Sequence, residues 1–374
     1  MKISAVKPFP LEGGLFVKVE TDAGIYGLGE AGIRAYTSGI VGVIEHLALQ
    51  LVGEDPMRTE HLWQQMFRGG FFPGGKLLCS AISAIDIALW DIKAKAFDVP
   101  LYQLLGGKVR DKAVTYPHCG GATIEQLVES ARAKVDQGYK FVRFSVSAED
   151  DVLEPSRAVR RTIRAFEALR TALGDEIEIC LDIHTRLDPM DSVVLCRALE
   201  PYQPYFLEDP LRSENPDTFR GFRQQVASPL AIGEQFASKW EFRQLIEEEL
   251  LNYARIDVCI VGGITEALKI AGWCETHYIH LALHNPLGPV STAACLHMDI
   301  AASNFGVQEC PRIPGTTMTD VFPVQVGWED GYLLLPERPG LGVEFDEAAA
   351  AAHPYRDTGQ ARFFRRLDGS LTNW

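Results

Sequence analysis

The sequence predicts an α/β protein in which a TIM-type, modified (β/α) barrel carries an N-terminal α+β capping domain completed by the C-terminal segment. The first reason is the spacing of six polar residues that each end a short apolar run. They are Asp182, Glu208, Glu234, Asp257, His284 and Glu309. The first three stand 26 residues apart, an interval that one strand, one helix and two short loops fill. The second reason is that the chain before residue 110 lacks this rhythm.

The first part of the chain predicts the capping domain. Short strand-like runs separated by turn residues occupy 3–29, a pattern typical of an antiparallel meander. Helical periodicity follows at 40–51 and again at 77–97. We therefore predict an α+β capping domain over residues 1–110.

The barrel is predicted over residues 111–325, where strand-like and helical patterns alternate without a linker-like seam. Its first crossover helix has a clear start, with Thr123 as N-cap and Gln126 at the capping-box position. Beyond the barrel, short strand and turn pieces lie within 331–343. They predict that the remaining segment, 326–374, returns to the capping domain.

Composition excludes several classes of partner. With 374 residues, 47% of them hydrophobic, the chain can bury a large core. Its net charge of −14 disfavours binding to nucleic acid or to anionic membranes. No apolar run is long enough for a signal peptide or a membrane span, and the eight cysteines form no C-x-x-C pair. We expect a cytoplasmic protein with buried thiols.

Three of the strand-end residues predict a metal site. Because the C-terminal face of barrel strands is where active sites are built, Asp182, Glu208 and Glu234 should converge. Oxygen ligands favour Mg²⁺ over Zn²⁺, which prefers His or Cys, and Mn²⁺ stays open. The alternative is that each acid caps the following helix, but Glu is a poor N-cap.

Two histidines and an aspartate predict acid and base groups. Asp257 and His284 end neighbouring strands, so the carboxylate can hold one ring N–H and leave the other nitrogen as a base. His184 lies two residues past Asp182, and strand alternation would point both side chains into the barrel mouth. We predict His184 as a general acid. The alternatives are a core or loop role for His284 and a surface ion pair for His184.

Other polar residues predict substrate contacts. Arg143 and Ser145 end the second barrel strand, where alternation aims both at the cavity, and an arginine can clamp a carboxylate or hydroxyls. Glu309, if protonated, would donate a hydrogen bond to a developing enediolate oxygen. A structural ion pair is the alternative for this residue.

Short motifs surround these residues. They read LDIH at 181–184, LEDP at 207–210, GEQ at 233–235, RID at 255–257, GGITE at 262–266 and HNPLGP at 284–289. In these motifs the chain resembles the mandelate racemase subgroup of the enolase superfamily over nearly its whole length. Within that subgroup it is most similar to the galactonate dehydratases, which also show segments like those at 67–72 and 87–93.

The resemblance implies a reaction. The three acids would bind Mg²⁺, the Asp257–His284 dyad would remove the proton alpha to a carboxylate, and His184 would protonate the departing 3-hydroxyl. The product would be a 2-keto-3-deoxy sugar acid. The chemistry requires the same arrangement. Removing the proton next to a carboxylate doubles the negative charge on the oxygens of the enediolate, and a preorganised cation is needed to stabilise that charge. A sugar-acid substrate and a homo-oligomer are expected from the resemblance.

The chain departs from its relatives on the second barrel strand, where many carry Lys-x-Lys and this chain reads Arg-Phe-Ser at 143–145. The missing lysine counts against a racemase, which needs proton donors and acceptors on both faces. Galactonate dehydratase-like members carry a different polar residue near Ser145, which leaves the exact sugar open. By resemblance, capping loops choose the substrate, and here they offer Arg34, Tyr36 and Arg68. Ordinary surface positions are the alternative for these three.

The leading interpretation is a Mg²⁺-dependent sugar-acid dehydratase of the galactonate or gluconate type. An epimerase, racemase or lactone cycloisomerase on the same scaffold is the second interpretation. The third is a protein that binds a metal or a sugar acid without catalysis, since fold analogy does not settle function.

Overall fold

A three-stranded antiparallel sheet begins the chain and packs against the first and third helices, and the second helix packs on the third. The structure is a computed structural model that describes residues 1–149, 151–357 and 363–373. The elements of the capping domain are β1 (Ile3–Leu11), β2 (Gly14–Thr21), β3 (Tyr26–Ala31), α1 (Thr37–Leu51), α2 (Thr59–Arg68) and α3 (Lys76–Ala96). The meander and the helices predicted at 40–51 and 77–97 are confirmed. Helix α2 is not among the predicted elements, because its ten residues span fewer than three turns of periodicity.

Helix α3 crosses the sheet at close range. Strand β3 has no side chain at Gly29, where a Cβ atom would lie 1.7 Å from the carbonyl oxygen of Ala84. Only glycine permits this approach. The contact fixes the end of β3, and therefore the neighbouring Glu30, against the rest of the molecule.

Eight strands in the described part of the chain form a closed barrel. They are β4 (Lys112–Tyr116), β5 (Phe141–Ser145), β6 (Glu178–Asp182), β7 (Phe206–Glu208), β8 (Leu230–Ile232), β9 (Tyr253–Ala254), β10 (His280–Leu281) and β11 (Gln308–Glu309). Strands β5 to β10 pair in chain order as a parallel sheet, and β11 pairs parallel with β4. Single parallel bridges, His118 to Arg143 and Leu281 to Phe305, close the two remaining seams. The predicted barrel is confirmed.

A helix follows each strand from β4 to β10. These helices are α4 (Ile124–Asp136), α5 (Pro155–Leu173), α6 (Pro189–Leu199), α7 (Thr218–Arg223), α8 (Lys239–Glu247), α9 (Ile264–Thr276) and α10 (Pro289–Ala301). The capping box of α4 forms as the sequence predicts, since the Gln126 N–H donates to Thr123 Oγ1 at 3.3 Å and the Thr123 N–H donates to Gln126 Oε1 at 3.3 Å. Regular alternation therefore places every strand end on one face.

The chain after the barrel divides its contacts between both domains. Its elements are β12 (Trp328–Glu329), β13 (Tyr332–Leu334), α11 (Glu347–Ala350), β14 (Phe364–Arg365) and β15 (Leu371–Thr372). The middle part contacts the capping domain, where the Leu341 N–H donates to Asp91 Oδ1 at 2.8 Å and Lys18 pairs with Glu347 at 2.8 Å.

The two ends of that segment differ from the expectation that 326–374 returns to the capping domain. Strand β13 pairs antiparallel with β4 of the barrel, and the hairpin of β14 and β15 packs on barrel loops near residue 152. A short apolar run indicates a strand but not its partner, so the sequence could not distinguish these surfaces. Residues 358–362 and 374 lie outside the described part of this segment.

Each of the eight cysteines lies in the described part of the chain as a buried free thiol. Among the described residues, no helix combines the length and the apolar character that crossing a membrane requires.

Candidate active site

The C-terminal ends of the barrel strands face the capping domain. The end of β3 reaches them, because the Gly32 N–H donates to the carbonyl oxygen of Cys259 at 2.9 Å. Glu30 is fully buried beside it and accepts hydrogen bonds from the backbone N–H groups of Gly288 at 2.7 Å and Ser291 at 2.9 Å. Burial raises the pKa of Glu30 to about 7. The two domains thus enclose one polar region.

The three predicted metal ligands lie at adjacent strand ends inside this region. Asp182 at the end of β6 pairs in register with Glu208 at the end of β7. Glu234 lies two residues beyond β8, the next strand of the sheet. All three are buried, and each keeps a buried oxygen without a hydrogen-bond partner, namely Asp182 Oδ1, Glu208 Oε2 and Glu234 Oε2. Unpaired buried carboxylate oxygens cost free energy that a cation would offset. The donor set is all oxygen, which fits Mg²⁺.

Arg143 lies against these acids. Its guanidinium pairs with Asp182, and its Nε atom lies 3.8 Å from Glu208 Oε2. Burial alone would lower the pKa of Arg143, but the carboxylates of Asp182 and Glu208 outweigh burial and raise this pKa above its ordinary value. As these side chains stand, no three His, Cys, Asp or Glu groups of the described residues are arranged to hold one ion. A cation would therefore compete with Arg143 for the carboxylates.

The two residues predicted to contact substrate on the second barrel strand lie against Asp182. Arg143 and Ser145 both contact Asp182, the latter through Ser145 Oγ, which donates to Asp182 Oδ2 at 3.2 Å. Alternation correctly places both side chains on the inner face of the barrel. The contact of these two residues with a substrate therefore stays a prediction.

Burial and neighbouring charges shift the pKa values of these acids in opposite directions. Burial and the neighbouring Asp182 raise the pKa of Glu208 to about 8, against the attraction of Arg255. Burial and nearby carboxylates also raise the pKa of Asp209 well above its ordinary value. Burial opposes ionisation of Asp182 as well, but Arg143 and its neighbours lower its pKa. Such mutual repulsion is what a divalent cation relieves.

The predicted pair of Asp257 and His284 is present. His284 Nδ1 lies 2.7 Å from Asp257 Oδ2, and the other oxygen of Asp257 accepts the Cys259 N–H at 2.7 Å. His284 Nε2 lies 3.3 Å from Glu234 Oε2. Burial would lower the pKa of His284, but the carboxylates of Glu234, Glu309 and Asp257 raise it to about 10. A cation on Glu234 would weaken this effect and favour the neutral imidazole.

His184 lies near the second carboxylate oxygen of Glu234. Its Nε2 atom lies 3.8 Å from Glu234 Oε1, so His184 and His284 flank Glu234. The reason differs from the predicted one, because β6 ends at Asp182 and His184 adopts a left-handed backbone with φ 56°. A turn, rather than strand alternation, brings the imidazole into the mouth.

Glu309 is held as an ion pair, which is one of the two alternatives that the sequence left open. It accepts hydrogen bonds from Arg255 Nη2 at 2.5 Å, His118 Nε2 at 2.6 Å and the Asn285 N–H at 2.9 Å. Burial would raise the pKa of Glu309, but Arg255 and the nearby imidazoles hold it well below its ordinary value. A carboxylate with these partners accepts hydrogen bonds only.

Arg255 is the main residue that the sequence reasoning missed. It is fully buried and joins Glu208, at 2.6 Å from its Nε, to Glu309. The available signal was an arginine directly before Ile256 in an apolar run that ends on Asp257. His118 belongs to the same network through its hydrogen bond to Glu309.

The predicted loop residues are exposed in the structure. Arg34 stands in a short 3₁₀ turn after β3 and is exposed. Tyr36 is 62% exposed. Arg68 is exposed on α2, where its Nε donates to Gln64 at 2.9 Å. The described structure draws neither Tyr36 nor Arg68 into the strand-end cluster.

Comparison with known proteins extends the similarity to the whole chain. Residues 12–106 match the mandelate racemase/muconate lactonizing enzyme N-terminal domain, and residues 126–349 match the enolase C-terminal domain-like family. A D-mannonate dehydratase of Caulobacter sp. (strain K31) is 38% identical, over 96% of this chain and 95% of its own. A D-galactonate dehydratase of Ralstonia nicotianae is 37% identical over 100% of both chains.

Among solved structures, an enolase from Pantoea ananatis with bound D-gluconate and Mg has a TM-score of 0.94 and 33% identity, covering 100% of this chain and 99% of its own.

Proposed function

The chain belongs to the mandelate racemase/muconate lactonizing enzyme family of the enolase superfamily, and on this premise we propose that it is a Mg²⁺-dependent sugar-acid dehydratase, a hydro-lyase. One observation carries the proposal: the imidazoles of His284 and His184 flank Glu234, and Asp257 holds only the first of them. An elimination needs one group that takes a proton and another that gives one.

Asp182, Glu208 and Glu234 would hold the cation, since each offers a buried oxygen without a hydrogen-bond partner. When bound, Mg²⁺ stabilises the negative charge that develops on the substrate carboxylate during proton removal. Mn²⁺ offers the same oxygen chemistry.

The protein's own groups then move two protons. His284 Nε2 accepts the proton from the carbon next to the carboxylate, because Asp257 keeps Nδ1 protonated and the ring oriented. His184 donates a proton to the oxygen of the 3-hydroxyl as the carbon–oxygen bond breaks. The electron pair of the broken C–H bond forms the new double bond, water leaves, and the resulting enol becomes a 2-keto-3-deoxy acid.

The substrate class proposed for this chain is an aldonic acid of the galactonate, gluconate or mannonate type. The named relatives and the gluconate-bound structure support that class. Arg34 is also proposed for hydroxyl binding, from its place in the capping loop that follows β3. Tyr36 and Arg68 remain proposals that require the capping loops to approach the substrate.

Two further proposals concern the setting of the enzyme. Buried free thiols and the absence of a disulfide among the described residues support a cytoplasmic location. A homo-oligomer is proposed from the family resemblance alone.

The test is a panel of stereochemically defined aldonic and aldaric acids with Mg²⁺, assayed for 2-keto-3-deoxy products and, in D₂O, for exchange at C2. Product from one or two epimers supports the dehydratase. Deuterium in recovered substrate, or a cycloisomer without water loss, would transfer the assignment to an epimerase or lactone cycloisomerase. Metal-bound protein that leaves the whole panel unchanged would favour a binding protein without catalysis.

A further inference from the structure

The turn that carries His184 has an unusual backbone. His184 and the next residue, Thr185, both have φ of 56°, in the left-handed region. Threonine is β-branched, and β-branched residues rarely adopt this conformation. Consecutive residues of this kind persist only where the surrounding structure holds them. The orientation of His184 therefore depends on the contacts of Thr185.

Two backbone hydrogen bonds within the barrel hold this turn. The Thr185 N–H donates to the carbonyl oxygen of Asp209 at 2.9 Å, and the Arg186 N–H donates to the carbonyl oxygen of Ile183 at 3.2 Å. Both fix backbone N–H groups. The carbonyl oxygen of Thr185, which turns with the left-handed backbone, needs a donor from elsewhere.

The C-terminal hairpin supplies that donor. Asn373 Nδ2 donates to the Thr185 carbonyl oxygen at 2.6 Å and lies 3.4 Å from Thr185 Oγ1. Thr185 is buried, with 6% of its surface exposed. A side chain 188 residues further along the chain thus closes the turn beside His184.

The hairpin that delivers Asn373 is anchored on the neighbouring loop, the one after β5. The Arg365 N–H donates to the Asp151 carbonyl oxygen at 2.9 Å, and the Leu153 N–H donates to the Arg365 carbonyl oxygen at 2.9 Å. The guanidinium of Arg186 lies 5.1 Å from the ring of Phe364. The hairpin therefore links the loop after β5 to the turn after β6.

We propose that Asn373 is a positioning residue for His184, so that the C-terminal hairpin controls the protonation of the leaving hydroxyl. The inference rests on the proposed function, because it matters only if His184 gives that proton. The Asp257–His284 pair lies beyond β9 and β10 and takes its hydrogen bonds from other groups. Loss of Asn373 should consequently impair water loss and spare proton removal at C2.

The experiment compares Asn373→Asp with Asn373→Ala in the full-length, Mg²⁺-loaded enzyme. Asn373→Asp keeps the shape of the side chain but turns an acceptor toward the Thr185 carbonyl. The matched control is Ser370→Ala, which removes a hydrogen bond to Asp368 within the same hairpin, away from the turn. The readouts are kcat and KM for product formation and the ratio of C2 exchange in D₂O to product.

Both Asn373 variants should lower kcat roughly tenfold or more, since small misplacements of a reacting group are costly, with KM changed by less than about twofold. The ratio of exchange to product should rise in both variants and stay at the wild-type value in Ser370→Ala. An unchanged ratio in an active Asn373→Asp enzyme overturns the proposal, even if kcat falls.

Hydrogen–deuterium exchange of the peptide 183–188 gives a readout that does not depend on activity. The proposal predicts faster amide exchange there in Asn373→Ala than in Ser370→Ala. If wild-type protein transforms no sugar acid, the proposed function fails, and this exchange alone decides whether Asn373 holds the turn. Equal exchange in the two variants overturns the inference.

Discussion

Arg255 places a guanidinium in the interior of the barrel mouth, where no part of the residue is exposed. Its two carboxylate partners, Glu208 and Glu309, belong to different strands. Breaking a buried pair by removing one partner leaves an uncompensated charge, which is far more costly than the net value of the pair. At the residue scale, the stability of the site therefore depends on each buried charge keeping its partners.

Glu309→Gln tests that balance. The substitution should lower the free energy of unfolding by roughly 3–5 kcal/mol, because it leaves Arg255 and its neighbours short of a charge. Urea unfolding of both proteins at pH 7 measures the difference. A decrease below about 1 kcal/mol would contradict the assignment of Glu309 as a buried ion pair.

The lowered pKa of Glu309 predicts that the free energy of unfolding depends on pH. Its folded-state pKa lies well below the ordinary value of 4.5. The stabilisation is therefore complete above pH 4.5 and disappears as the pH falls through the lower, folded-state pKa. Unfolding curves between pH 6 and pH 3 should converge for the wild type and Glu309→Gln. A difference that grows on acidification would contradict the sign of this pKa shift.

His284→Asn should lower kcat by about 10²–10⁴-fold, since it removes the proposed base while keeping a residue of similar polarity. His280→Asn is the control, because His280 is exposed at the start of β10, whereas His284 follows the C-terminal end of that strand. Steady-state kinetics with the identified sugar acid measure both variants. Activity of His284→Asn near the wild-type value would exclude His284 as the base.

Single residues show what the sequence could predict about the site. Acids that end successive apolar runs were visible because the register repeats, so Asp182, Glu208 and Glu234 could be grouped without coordinates. Arg255 was missed, because the sequence pattern does not distinguish a buried arginine in a strand from one that faces solvent. The ion pair of Glu309 depends on that arginine and was left as one of two alternatives.

At the scale of elements, the start of one helix was predictable from local residues. The start of α4 was read from Thr123 and Gln126, because a capping box is local and needs no tertiary partner. The turn after β6 shows the opposite case. Its left-handed residues at 184 and 185 depend on contacts with residues 209 and 373, which no local pattern encodes.

Thr123→Ala tests the cap. The substitution should lower the free energy of unfolding by about 1 kcal/mol, because the Gln126 N–H at the helix start loses its acceptor. Thr123→Ser keeps the hydroxyl and should stay within about 0.5 kcal/mol of the wild type. Urea unfolding measures both variants. Equal losses in the two would mean that the hydroxyl does not stabilise α4.

At the scale of the whole molecule, the capping domain and the C-terminal segment meet the barrel at the same face. Glu30 from β3 bonds to the start of α10, and Asn373 from the hairpin bonds to the turn after β6. The sequence predicted both domains, because each has its own periodicity. It could not predict where the two ends of the C-terminal segment dock, since those contacts join residues far apart in the chain.

Metal binding should stabilise the whole molecule. Mg²⁺ at about 100 times its Kd should add roughly 2.7 kcal/mol to the free energy of unfolding, because only the folded state brings the ligands together. Thermal unfolding with and without Mg²⁺ measures the effect. Asp182→Asn should abolish it, whereas Asp188→Asn, an exposed acid shortly after the same strand, should retain it. Stabilisation that survives in Asp182→Asn would place the cation elsewhere.

The central claim is that His284 removes the C2 proton and His184 protonates the leaving hydroxyl. The most direct test compares His184→Asn with His284→Asn in D₂O, with Mg²⁺ and the identified sugar acid. We expect His184→Asn to exchange the C2 proton while forming little 2-keto-3-deoxy product, and His284→Asn to lose both exchange and product. Product formation by His284→Asn at the wild-type rate, or full water loss by His184→Asn, would contradict the account.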